Sequence, residues 1–121
     1  MSNTKTIIEE WSVKDLEDSS AINISVSSCT EIGNQSKPGL QVTFMGNIIN
    51  FEPLAVARWA YQASKTDAKE YLLEDHSWMV HDNQFVKMYL LISPILKAKV
   101  EVKTRSSKII SKEYDLPFSL E

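Results

Sequence analysis

Apolar side chains at Ile22, Ile24 and Val26 alternate with Asn23, Ser25 and Ser27, the period of a strand with one buried face. Leu40, Val42 and Phe44 repeat the pattern against Gln41 and Thr43. Met45, Gly46 and Asn47 then read as a tight turn, since glycine and asparagine tolerate positive φ, and residues 48–51 return as the hairpin partner. Upstream, residues 5–11 have the β-branched and aromatic content of a first strand or a short helix, and residues 12–16 are too short and polar to classify. Residues 33–39, rich in glycine, asparagine, serine and proline, predict a loop.

Pro53 changes the period, because proline suits the first turn of a helix, where its missing N–H costs nothing. Val56, Trp59, Ala60 and Ala63 fall at i, i+3, i+4 and i+7, and Leu54, Ala57 and Tyr61 widen the apolar face. A well-buried helix with Trp59 in the core follows. Ser64, Lys65 and Thr66 interrupt it. Asp67 and Glu70 have capping-box spacing, which predicts a second helix over 67–75 burying Ala68, Tyr71 and Leu72. One continuous helix is the alternative.

Residues 85–92 are rich in strand formers and stop at Pro94. Ala98, Val100 and Val102 alternate with Lys99, Glu101 and Lys103 in the clearest strand of the chain. Residues 105–107 form a hairpin turn, 108–114 return, and the apolar tail 116–120 docks on the core or stays free. Strands, then helices, then strands describe an α+β domain over residues 1–121. It has a mainly antiparallel sheet from N- and C-terminal strands, with one or two central helices packed on one face.

The length of 121 residues suits one domain without covalent staples. Three glycines leave no flexible linker and no phosphate-binding loop. The lone Cys29 excludes an intramolecular disulfide framework and fits a reducing compartment. No basic stretch followed by an apolar one opens the chain, and apolar runs such as residues 89–92 are too short to span a bilayer. The sequons at Asn23 and Asn34 are then chance matches, and the expected location is the cytoplasm.

Charge sharpens the picture. The net charge is −3, but residues 83–112 hold seven basic side chains and one acid, for +6, whereas residues 1–82 carry −6. Such polarity marks a surface for a charged partner, unless the fold interleaves the two regions and the field cancels. Lys99 and Lys103 share a strand face. With Arg105 at the turn and Lys108 and Lys112 on the return strand they make a candidate partner-binding patch. Trp78, in polar surroundings like Trp11, is a candidate anchor or a cover for the core edge.

Glu74, Asp75, His76, His81 and Asp82 form the densest set of reactive side chains. His76 and His81 are five apart, which fits neither a helical i, i+4 metal pair nor the i, i+2 of one strand face. No metal and no cofactor are therefore expected, and a polar loop is the alternative to a site. Cys29 has no local signature of a nucleophile. The chain shows no nucleotide-binding fingerprint, nucleophile elbow or zinc-finger spacing. The expectation is a small protein that binds another macromolecule without catalysis, of inhibitor, immunity or adaptor type, its partner a protein with an acidic surface. A nucleic-acid-binding module using the basic C-terminal strands is the first alternative. A small enzyme or ligand-binding domain using residues 76–82 is the second.

Overall fold

Period-two patterning becomes two antiparallel sheets. The computed structural model describes residues 5–14, 21–32, 37–81, 84–93, 95–104 and 108–118. In chain order the elements are β1 (Lys5–Lys14), β2 (Ala21–Ile32), β3 (Lys37–Phe44), β4 (Asn47–Phe51), α1 (Pro53–Ser64), β5 (Glu70–Leu72), β6 (Trp78–His81), β7 (Gln84–Leu91), β8 (Lys97–Lys103) and β9 (Ile109–Asp115). The first sheet is a meander in the order β1-β2-β3-β4. The second runs β7-β8-β9, with β5 and β6 both laid along the free side of β7. The chain is thus a mainly-sheet α+β fold, with one α-helix among the described residues.

Alternation explains the core. Val26, Val42 and Phe44 point inward from the first sheet, and Val86, Met88 and Val100 from the second, all joining one apolar cluster. Phe44 and Trp78 meet across the sheets with ring centroids 5.6 Å apart. The helix begins with Pro53 in its first turn, as read, and buries Ala55, Val56 and Ala63. It touches β3 and β4 of one sheet and β5 and β7 of the other.

The structure corrects several expectations. The predicted second helix is β5 followed by a 3₁₀ turn over Glu74–His76. Asp67 does not cap a helix: its φ of 56° is left-handed, which ends the helical path, and residues 70–72 pair with residues 89–91 of β7 instead. The apolar face of α1 is narrower than its spacing suggests. Leu54 and Tyr61 are exposed, and Trp59 is half-buried at the core's rim, edge-on to Phe51 at 5.6 Å. Lys37, Pro38 and Gly39 belong to β3 rather than to the preceding loop, whose residues 33–36 lie outside the described residues. At the β3–β4 turn Met45 and Gly46 take positive φ, of 46° and 81°, while Asn47 already starts β4. The predicted turn at 105–107 also lies outside the described residues. Its stem is closed by the Thr104 N–H bonded to the Lys108 carbonyl at 2.9 Å. Leu116 and Phe118 of the tail pack against the core. No helix among the described residues is long and apolar enough to cross a membrane.

Candidate functional site

The outward face of the second sheet resolves into four rows, set by strand register. Leu91, Lys97 and Asp115 lie opposite one another, with Glu70 beyond Leu91. Tyr89, Lys99 and Glu113 make the next row, and Lys87, Glu101 and Ser111 the third. Each of these rows contains an acid. The fourth row, Met79, Phe85, Lys103 and Ile109, has none.

Acids of the same sheet, in register for Lys97 and diagonal for Lys99, hold most of the basic strand's charge. Lys97 Nζ lies 3.5 Å from Asp115. Lys99 Nζ lies 3.4 Å from Glu70 and 4.0 Å from Glu101, and 4.8 Å from the centre of the Tyr89 ring. The Tyr89 hydroxyl donates to Glu101 at 3.3 Å. Burial first, and then the Glu101 carboxylate, push its pKa up to about 12. Interleaving thus offsets the sequence's charge polarity at Lys97 and Lys99, as it would on any mixed surface.

The fourth row is different in kind. Met79 is 74% exposed and Ile109 58%. Between them the Phe85 ring lies 4.3 Å from Lys87 Nζ and 5.5 Å from Lys103 Nζ, within cation–π range. Lys108 is exposed beside Ile109. Neither Lys87 nor Lys103 forms an ion pair among the described residues. The result is a strip of apolar side chains bearing two ammonium groups.

Of the residues singled out in sequence, Lys99 and Lys103 reach this face, Lys99 within its own ion pairs, whereas Lys108 lies opposite the buried Thr104 at the end of the hairpin. Arg105 lies outside the described residues. Lys112 sits on the opposite face: it is opposite Val100, whose side chain is core. Trp78 likewise points inward, against Phe44. Phe85, Lys87, Met79 and Ile109 are the residues that sequence reasoning missed. No local signal marks them, because only register brings four strands into one row.

Lys112 has a separate role. A bulge between Ile7 and Glu9 switches the parity of β1 and turns Glu9 to the side of Trp11 and Val13, the usual effect of one extra residue. Glu9 then accepts the Tyr114 hydroxyl at 2.7 Å and Lys112 Nζ at 3.0 Å. Lys112 also lies 5.2 Å from the centre of the Trp11 ring. This network ties the edge strand of one sheet to that of the other. The Tyr114 hydrogen bond, and then that from Lys112, hold the Glu9 carboxyl below its usual range. Burial, and then Glu9, push the Tyr114 hydroxyl up.

In the histidine segment, His76 and His81 belong to separate elements. His76 ends the 3₁₀ turn, its ring edge-on to Trp59 at 6.0 Å. His81 ends β6, and Asp82 lies outside the described residues. Among the described residues no group of three or more histidines, cysteines and acids is placed to hold a metal ion. Cys29 is free and buried, opposite Gly39 in the sheet. Comparison with protein-family models, with curated proteins and with solved structures gave no match for the chain.

Proposed function

We propose that this protein acts in the cytoplasm by binding another protein, without catalysis, in the manner of an inhibitor, immunity protein or adaptor. The strip formed by Met79, Phe85, Lys103 and Ile109 is the binding face. The observation that carries this reading is that this row alone on its sheet has no in-register acid while exposing Met79 and Ile109. Apolar anchors ringed by like charge suit a protein segment with acidic and apolar side chains, where a few central residues supply most of the affinity. Lys87, Lys103 and Lys108 contribute by steering the encounter. A nucleic-acid track fits less well: Phe85 is the one ring of the strip on which a base can stack, and Glu70, Glu101, Glu113 and Asp115 border its basic surface. The buried, free Cys29 suits a reducing compartment.

The test is capture of partners from cells that make the protein, with and without nuclease, using the wild type and a Lys87→Glu, Lys103→Glu variant. We expect a protein retained at fixed stoichiometry after nuclease and lost with the double reversal. Association should slow more than dissociation speeds up. The effect should shrink with salt, as the Debye length falls from about 10 Å at 0.1 M to about 3 Å at 1 M. Nuclease-sensitive binding, with log affinity linear in log salt, would replace this reading with the nucleic-acid one.

A further inference from the structure

A second feature lies beside α1, and none of the strip's residues lines it. A cleft of about 440 Å³ opens between α1 and the 3₁₀ turn, within the range of small-molecule sites. Arg58 and Gln62 line one wall; four residues apart on a helix, they are surface neighbours. Glu74, Asp75 and His76 line the other, and Trp59 and Tyr71 add aromatic surface. Arg58, Glu74 and Asp75 form no ion pair among the described residues, with each other or with any other group. One residue with a cationic side chain and two with carboxylates thus line a shared cavity without an ion pair among the described residues.

The turn that carries the acids is held firmly. The Leu73 N–H bonds the Met88 carbonyl at 2.9 Å, keeping the ladder to β7. At the next rung Ser77 takes over: its hydroxyl accepts the Met88 N–H at 3.3 Å and donates to the Leu73 carbonyl at 3.1 Å. One side chain thereby replaces a strand's backbone, and residues 74–76 leave the sheet without stranding a buried N–H. Interruptions of this kind aim side chains beside sites.

We propose that this cleft binds a small zwitterion of the α-amino-acid type. The ligand carboxylate meets the Arg58 guanidinium and the Gln62 amide. Its ammonium meets Glu74 and Asp75, beside the Trp59 and Tyr71 rings. Both ligand charges are required, because each wall offers the opposite sign, and the excess of one carboxylate favours a neutral or basic ligand side chain.

The experiment is an NMR titration of the full chain with L-leucine and L-lysine, each also as the N-acetyl and the carboxamide derivative. The Trp59 indole and Gln62 side-chain signals are followed. We expect saturable shifts at both for at least one free amino acid, weakened about tenfold or more by either blocked form, since each leaves a charged wall unpaired. Arg58→Gln, at an exposed position, should leave the rest of the spectrum unchanged and lower affinity to the same degree, with Arg58→Lys intermediate. The proposal is overturned if neither amino acid gives saturable shifts up to about 10 mM, or if the blocked derivatives bind as well as the free forms. Neither outcome bears on the strip across the second sheet, whose partner is tested separately.

Discussion

The two sheets present the same kind of surface inward and differ outward in how much charge they carry. Inside, Val26, Val42 and Phe44 face Val86, Met88 and Val100, and all are almost fully buried. Outside, the first sheet shows Asn23, Ser25, Gln41, Thr43 and Asn50, with Gln41 bonded to Asn50 at 3.1 Å, beside Glu10 and the exposed Ile48. The second sheet shows lysines in register with acids. Packing dictates the inward set, since interiors tolerate little change in shape or polarity. The outward sets are free to differ, so their difference speaks to what each surface meets. The lesson is specific: acids accompany the lysines over most of the second sheet, and one row, Met79, Phe85, Lys103 and Ile109, has none.

Several substitutions would break or sharpen that contrast. The largest effects should come from inside, where the sheets are alike. Phe44→Ala and Met88→Ala should each lower stability by about 2–5 kcal/mol in denaturant unfolding. A cost confined to one of them would show that the two sheets do not share a core. Next come the rows. Lys99→Glu sets a third carboxylate beside Glu70 and Glu101 and should cost about 1 kcal/mol. Lys103→Glu should change stability by less than about 0.5 kcal/mol, because its row has no acid to lose or repel. Equal costs by thermal unfolding would erase the distinction between the rows with an acid and the row without.

A smaller effect concerns the seam between the sheets. Glu9's folded pKa lies below its ordinary 4.5, so its contribution is present above that value and is lost as pH falls through the lowered one. Glu9→Gln should therefore flatten the acid side of the melting-temperature profile and leave its alkaline side unchanged. An unaltered acid limb would remove Glu9 from the account of how β1 joins β9. The smallest effect is at the β3–β4 turn. Met45 has φ of 46°, and Asn-Gly is the favoured pair for two positive φ values. Met45→Asn should raise stability by about 0.5 kcal/mol, read as a shift of the denaturation midpoint with unchanged slope.

Most of the strands were legible because one face of each is buried. Alternation in residues 22–27, 40–44 and 98–103 needs no partner to be seen, and Pro53 announces the helix. Residues 67–75 were misread because Ala68, Tyr71 and Leu72 satisfy a helical period, whereas the outcome is decided by Asp67's left-handed backbone and by pairing with β7, a partner distant in sequence. In β9 the adjacent Ile109 and Ile110 fit either parity. Tyr114 settles it by turning inward, which carries Lys112 inward to Glu9 and leaves Ile109 outside. Lys99 and Lys103 could be placed on one face from period alone. Their neighbours could not, because Met79, Phe85 and Ile109 join Lys103 only through the register of four strands.

The central claim rests on that row, and the most direct measurement is titration of the captured protein partner against two alanine variants. Phe85→Ala, at the centre of the strip, should weaken binding by about 2 kcal/mol or more, roughly 30-fold, with the fold intact. Thr43→Ala, on the outward face of the first sheet, should leave affinity unchanged. Unchanged affinity in Phe85→Ala, or a larger loss in Thr43→Ala, would contradict the assignment of the partner-binding face to the second sheet.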